Sequence, residues 1–424
     1  MAKLAINGGE KYRKAPFPPF PVIGDEEANA AYNVIKSGKL STFLASPGEY
    51  FNGGKKIKEL ESLFKQYFNV GHAVSMNSAT ACLDASISAV GVQPGDQVLV
   101  TPYSMTCSAT CTLMSNAVPI FCDVNDNNFA IDPTKLEDKI NEKTKAIVVV
   151  HLFGGPADMD GIMSIADKHH LKVIEDCAQA IGGTYKGKLL GTIGDCGIFS
   201  FNEGKHITCG EGGVLITNDE EVAHVSRLVR NHGEAIIENM PREYKTNILG
   251  RNYRLTEQDA AVAIEQFKKL DNFIDQRLKL AEYFGNKIER EIPGITFASN
   301  RENGKNVYNM TVFKYDENIV GLPRNLFIKA LSEEGIPLTF AGYVKPLYLS
   351  PIYHDNKHFA IKHFAPEVSY DKGICPVVER LHEKEVFFTM LARPPATLED
   401  MDDIVGAMKK VIDNKSELED LITK

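Results

Sequence analysis

Between residues 73 and 219 the chain alternates short apolar runs with helical spacers, and this alternation constrains the fold more than any other feature. The runs are AVSMNSAT (73–80), QVLVTPYS (97–104), VPIFCDV (118–124), AIVVVHLFG (146–154), KVIEDCAQ (172–179), CGIFSF (196–201) and GVLITND (213–219). The spacers at 82–90, 133–140 and Met159–His169 carry helical patterning. Strands alternating with helices make right-handed crossovers and a mainly parallel sheet. The runs are continuously apolar rather than alternating, as strands covered by helices on both faces must be. The expectation is an α/β protein with a mainly parallel, seven-stranded sheet between helix layers. In such sheets ligands gather at the C-terminal ends of the strands.

The rest of the 424 residues is read around this block. Residues 1–24 are rich in Gly and Pro (NGG, PFPPFP) and predict an extended arm. Helices are predicted over Asp25–Ser37, with acidic residues in its first turn, and over Lys55–Phe68. Residues 38–54 lack a period and predict a loop. Beyond residue 255 a long helical stretch (257–290) precedes strands at 306–316 and 385–393 and helices at 326–334 and 398–412. The division expected is an arm (1–24), a large ligand-binding domain (25–255) and a smaller α+β domain (256–424).

Composition excludes several classes. A net charge of −9 with no Lys/Arg block argues against a nucleic-acid partner. No apolar run approaches the ~18 residues that span a bilayer, and MAKLAINGGEKYRK has no apolar leader segment. A cytoplasmic protein without a membrane partner is expected. The eight cysteines form no CxxC pair, so they read as free thiols, and no metal site is expected.

The chemistry concentrates in SFNEGKHITCGEGG (200–213). Lys205 lies between an apolar strand and a glycine-rich return. Most lysines are plain surface residues. One held in such company is a candidate Schiff-base lysine, whose partner is an aldehyde cofactor. Asp176 ends the run KVIED, where a buried carboxylate is costly unless it meets a cation. Alone it is equally a strand-end acid or a helix cap; beside Lys205 it suits a pyridinium nitrogen. Gln179 suits that ring's hydroxyl oxygen or a helix start. Ser78, Ala79 and Thr80 follow a strand and open a helix, which makes an anion site of the free N–H groups, or an ordinary cap at Ser78. Ser200 offers a second hydroxyl.

In NSATACL (77–83), VPIFCDVN (118–125), HLFGGPADMD (151–160), VIEDCAQAIGG (173–183), the run 191–219, GRNYRLTEQDAA (250–261) and ICPVVERL (374–381), the chain resembles the DegT/StrS-type sugar aminotransferases. These are pyridoxal 5′-phosphate enzymes of fold type I, the aspartate aminotransferase fold. The resemblance implies that Lys205 binds the cofactor and shuttles protons. It implies Asp176 at the ring nitrogen and Gln179 at the ring oxygen. Ser78, Ala79, Thr80 and Ser200 would lie at the phosphate, with Asn252 reaching the phosphate of a neighbouring subunit, hence a homodimer. Alanine stands at 79 where the family usually has glycine. Where an aromatic residue usually covers the ring, Met105 is the expected substitute, with Tyr103 the other candidate.

The activity implied is transfer of an amino group from glutamate or glutamine, through pyridoxamine 5′-phosphate, to a keto sugar, nucleotide-linked, in amino-sugar or secondary-metabolite biosynthesis. A keto-cyclitol acceptor or an aminohydroxybenzoate-synthase-like activity is the alternative, suggested by INGGEKYRKAPFPPFP. Dehydratases of the family carry histidine at the lysine position. His206 is adjacent, but Ser200-Phe201 and Gly210-Glu211-Gly212-Gly213 set the register on Lys205. A non-catalytic regulatory role on the same fold also stays open. Specificity is expected in the loops 38–54, 232–249 and 341–357, with Tyr50, Phe51, His232, Tyr343, Lys345 and Tyr348.

Overall fold

The computed structural model describes residues 3–43, 50–233, 248–299, 302–354 and 357–422. Seven strands form the central sheet: β1 (His72–Met76), β2 (Gln97–Val100), β3 (Val118–Phe121), β4 (Thr144–Val150), β5 (Lys172–Asp176), β6 (Cys196–Ser200) and β7 (Gly213–Thr217). Their order is β1-β7-β6-β5-β4-β2-β3. β2, β3, β4, β5 and β6 pair in parallel; β7 runs antiparallel to both β6 and β1. The mainly parallel seven-stranded expectation holds. β2, β3, β6 and β7 are buried at every position, which is why their sequences are unbroken apolar runs.

Helices α1 (Asp25–Ser37), α2 (Lys55–Phe68), α3 (Ala79–Ala89), α4 (Cys107–Met114), α5 (Met159–His169) and α6 (Glu220–Arg230) belong to this layer. The stretch read as one helix over 257–290 is two, α7 (Glu257–Lys268) and α8 (Leu270–Glu291). The break falls at Lys269, whose amine pairs with Glu27 at 2.7 Å. It lets α7 pack on α1 and α2 while α8 continues to a second sheet. The segment 133–140, read as a helix, forms only two 3-10 turns (Pro133–Lys135 and Glu137–Lys139) before Ile140 returns to extended backbone.

That second sheet is antiparallel, in the order β8-β9-β11-β10, from β8 (Ile295–Phe297), β9 (Thr311–Tyr315), β10 (Thr339–Ala341) and β11 (Val386–Thr389). With α8, α9 (Arg324–Glu333) and α10 (Leu398–Asp413) it encloses a second hydrophobic cluster. The N-terminal arm is fixed to this cluster. Leu4 is fully buried in it. Buried Glu334 accepts hydrogen bonds from the main-chain N–H groups of Ala5 and Tyr12, both at 2.8 Å. Arg13 bridges Asp400 and Asp403. The first turns of α8 belong instead to the larger cluster around the central sheet, so this helix joins the two.

Candidate active site

The C-terminal ends of β1, β5 and β6 converge on one edge of the central sheet. Asp176 is the last residue of β5 and is buried. Its Oδ2 accepts from the Ser108 hydroxyl at 2.8 Å and its Oδ1 from the Ala178 N–H at 3.1 Å. Ser104 Oγ lies 2.9 Å from Ser108 Oγ and extends the chain of hydroxyls. Burial raises the Asp176 carboxyl above its ordinary value; Ser108, Ala178 and the charge of Lys205 oppose this.

Lys205 follows β6 in a tight turn, its N–H donating to the Asn202 carbonyl at 2.9 Å. The residue is half-buried. No side-chain hydrogen bond or ion pair holds its amine among the described residues. Burial lowers the proton affinity of the amine, against the pull of Asp176 and then Cys107. Cys107 feels both charges: burial and Asp176 raise its thiol, while Thr80 and Lys205 draw it down. His206 is separated from this group. It is buried, and its Nε2 donates to the Val307 carbonyl at 2.9 Å.

Ser78 caps α3, its Oγ accepting from the Ala81 N–H at 3.0 Å. Its hydroxyl is thus engaged as a cap, while the first-turn N–H groups of Ala79 and Thr80 have no intrahelical acceptor, as at any helix start. Gly213, opposite Ser200 in the β6–β7 ladder, supports this turn from below. A Cβ there would lie 2.7 Å from Ala79 N and 2.8 Å from Ser78 C. Gly213→Ala is therefore expected to displace the Ser78–Thr80 turn, since backbone atoms cannot yield as a side-chain tip can. Overpacking of this kind costs about 1–3 kcal/mol. A thermal midpoint and phosphate affinity equal to those of the parent chain would count against the contact.

Gln179 is buried, with Oε1 accepting from the Phe153 N–H at 2.8 Å and Nε2 donating to Tyr343 Oη at 3.0 Å. Tyr103 lies beneath, fully buried, its ring edge-on to Phe153 and Tyr343. Its hydroxyl has no partner among the described residues. Met105 is 50% exposed just before α4. Asn252 is exposed, its Oδ1 accepting from Arg254 Nε at 2.9 Å. Its main chain touches Asn77, the residue before Ser78 of the same chain.

Of the loop residues, Tyr348 does not face this edge. It is fully buried and its hydroxyl donates to Glu379 at 2.6 Å. Residues 44–49, 234–247 and 355–356 of the three loops lie outside the described residues. Ser108 and the Tyr343–Gln179 bond had no sequence signal, because both arrive through the tertiary path of distant segments. A second buried pair, His151 Nε2 to Glu175 Oε2 at 3.0 Å, lies directly under Asp176. The Ala157 N–H donates to His151 Nδ1, so the ring proton sits on Nε2 and points at Glu175. Three main-chain N–H groups, of Gly191, Ile193 and Gly194, also donate to Glu175. Despite its burial these donors hold the carboxyl below its usual range.

The α/β sheet thus brings a half-buried lysine and a buried carboxylate together at its strand ends. Comparison with known proteins makes the class specific. Residues 36–406 match the DegT/DnrJ/EryC1/StrS aminotransferase family. The chain belongs to this family, and it is an aminotransferase. It is 31% identical to the L-glutamine:scyllo-inosose aminotransferase of Streptomyces griseus, over 98% of this chain and 99% of that one. It is 36% identical to the GDP-perosamine synthase of Caulobacter vibrioides, over 73% of this chain and 81% of the other. Its fold matches the X-ray structure of an aminotransferase from Psychrobacter cryohalolentis with a TM-score of 0.83 and 28% identity, covering 94% and 99% of the two chains.

Proposed function

We propose that this aminotransferase uses pyridoxal 5′-phosphate to move an amino group from glutamine or glutamate to the ketone of a polyhydroxylated ring, a nucleotide-linked sugar or a cyclitol. One observation carries the reading: a lysine amine of lowered proton affinity and a buried carboxylate share one edge of the sheet with an open helix start. The relatives named above support the acceptor class. The residues present fit the cofactor. The Ser78–Thr80 turn, packed on Gly213 so closely that a Cβ there would lie 2.7 Å from Ala79 N, opens a helix whose first N–H groups suit a phosphate, and Asp176 is an acid that burial leaves in want of a cation.

When bound, the cofactor supplies an aldehyde and an electron sink. Ala79 and Thr80 would hold its phosphate through main-chain N–H groups, with the Thr80 and Ser200 hydroxyls beside them. Asp176, ionised, would keep the ring nitrogen protonated, with Ser108 orienting the carboxylate. Gln179 Nε2 would turn from Tyr343 toward the ring oxygen, and Met105 would cover the ring face. The amine of Lys205, neutral in the reacting state, would move the proton between the substrate carbon and the cofactor's C4′ carbon, as general base and then acid. Exposed Asn252 would serve the neighbouring subunit's phosphate in a homodimer, and exposed Leu249 beside it suits burial there. We place the protein in the cytoplasm; no described helix is long and apolar enough to cross a membrane. We divide it into an arm (1–24), a cofactor-binding domain (25–255) and a smaller domain (256–424).

The test is a screen of keto sugars and inososes with glutamine or glutamate as donor, read by amine formation. Amine on one ketone class is the expected result. A deoxygenated product without nitrogen would replace the reading by a dehydratase, and no cofactor uptake would point to a non-catalytic role.

A further inference from the structure

Behind Lys205 lies a narrow recess lined by Phe20, Lys205, His206, Arg277 and Pro394, among others. Two of its groups are short of partners. Arg277 is only 1% exposed. Its Nη1 donates to the Tyr308 and Asn309 carbonyls at 3.3 and 3.5 Å, while Nε and Nη2 have no partner among the described residues. His206 uses Nε2 as a donor to Val307, which leaves Nδ1 a buried, unpartnered acceptor. A guanidinium stays charged in a protein, and no carboxylate among the described residues pairs with Arg277.

A second guanidinium stands nearby. Arg393 lies over the Phe20 ring, 3.8 Å from its centroid, and Arg277 approaches the same ring at 5.6 Å. Arg393 Nη1 is also buried without a partner. Its charge is felt by Arg277, whose proton affinity is pressed down first by burial and then by Arg393. Phe20 and Pro394 line both the recess and an outer cavity of about 330 Å³ that Arg393 also borders. Two like charges, desolvated and unpaired, are costly. They meet at an aromatic side chain of the arm, next to the amine that does the chemistry.

We propose that Arg277, assisted by Arg393, binds a substrate carboxylate beside Lys205, with Phe20 as the gate between the recess and the outer cavity. This rests on the reading that Lys205 is the reacting amine. The free edge of Arg277, Nε with Nη2, is the one that grips a planar carboxylate through two parallel hydrogen bonds. With Phe20 in place the recess has space for about one water (10 Å³). A carboxylate group enters when the ring swings aside, whereas a tetrahedral diphosphate demands far more room. Two sources offer that chemistry: the carboxylate of the amino donor, or an acidic ring as acceptor.

The experiment compares the parent chain with R277K and R393M, in excess inorganic phosphate so that the Ser78–Thr80 turn is occupied. Glutarate, glutaramide, glucuronate and glucose are titrated by calorimetry. In parallel, the cofactor-loaded protein is mixed with glutamate and its visible band followed in a single turnover. Glutarate binding without glutaramide binding identifies the donor carboxylate; glucuronate without glucose identifies the acidic acceptor. Both variants are expected to weaken the acid about tenfold, the size of one lost charge-assisted hydrogen bond. R277K should also raise the half-saturating glutamate concentration by a similar factor if the donor is bound there, with the limiting rate little changed. Acid affinity unchanged in both variants means that the recess holds water only, and overturns the proposal. If R277K does not fold, R393M, at a half-buried position, decides alone. A parent chain that binds glutarate through Arg277 but shows no band shift would keep the recess and refute amino transfer instead.

Discussion

Lys205→Ala is expected to abolish amino transfer while leaving the chain folded. The amine has no hydrogen bond or ion pair among the described residues, so its removal breaks no structural contact. It instead relieves the desolvation that lowers its proton affinity. Loss of a positioned proton carrier alone costs about 10²–10⁴ in rate, and loss of the nucleophile adds to it. Turnover is measured with glutamine and the best ketone, and folding by thermal midpoint. Lys205→Arg keeps the charge but cannot give up a proton, and should be equally inactive. The sign of the pH dependence follows. The folded-state value lies below the ordinary 10.5, so activity should climb as pH rises through that lowered value. In the chain without cofactor, the stability deficit due to Lys205 is largest below it and fades as pH rises toward 10.5. A Lys205→Ala protein that turned over within tenfold of the parent rate would remove the lysine from the chemistry.

The large sheet was legible because burial on both faces leaves a direct mark: CGIFS and GVLIT are apolar at every position, as the fully buried β6 and β7 require. The order of the strands and the reversal of β7 were not, since an apolar run carries no direction. The second sheet was read less well. Residues 306–316 suggested one long strand, yet only Thr311–Tyr315 pairs. Tyr308 adopts a positive φ of 47°, and the Val307 N–H is taken by the Gly154 carbonyl. A contact across the chain thus wins over local propensity. The site divides in the same way. Lys205 and Asp176 share an edge because both follow parallel strands, which spacing reveals. Ser108 reaches Asp176 from 68 positions away. Arg277, in the middle of an ordinary amphipathic helix, has no sequence mark at all; its missing counter-ion exists only in three dimensions.

Asp176→Asn separates function from stability most sharply, because the two should move in opposite directions. The Asp176 carboxyl is raised above its ordinary 3.8, with burial the largest cause. A raised acid contributes most stability when protonated, so its contribution falls as pH rises through 3.8 toward the folded-state value. The asparagine Oδ1 can still accept from the Ala178 N–H, as Asp176 does at 3.1 Å, while Nδ2 replaces Oδ2 and donates to the Ser108 hydroxyl 2.8 Å away, and the amide carries no charge to desolvate. Without cofactor, the variant should therefore be as stable as the parent near pH 4 and more stable at pH 7, measured by denaturant unfolding at both. With cofactor the order reverses in activity. An amide cannot hold a proton on a pyridine nitrogen, so the ring loses its capacity to take up electrons. A fall in kcat of about 10²–10⁴, the range for loss of a positioned acid–base group, is the expected size. A variant less stable than the parent at neutral pH would mean that Asp176 is a structural acid already paid for by its hydroxyl and N–H donors. Retained kcat would place the ring nitrogen elsewhere. Only a carboxylate buried in advance of its cation gives both a gain in stability and a loss in rate from one substitution.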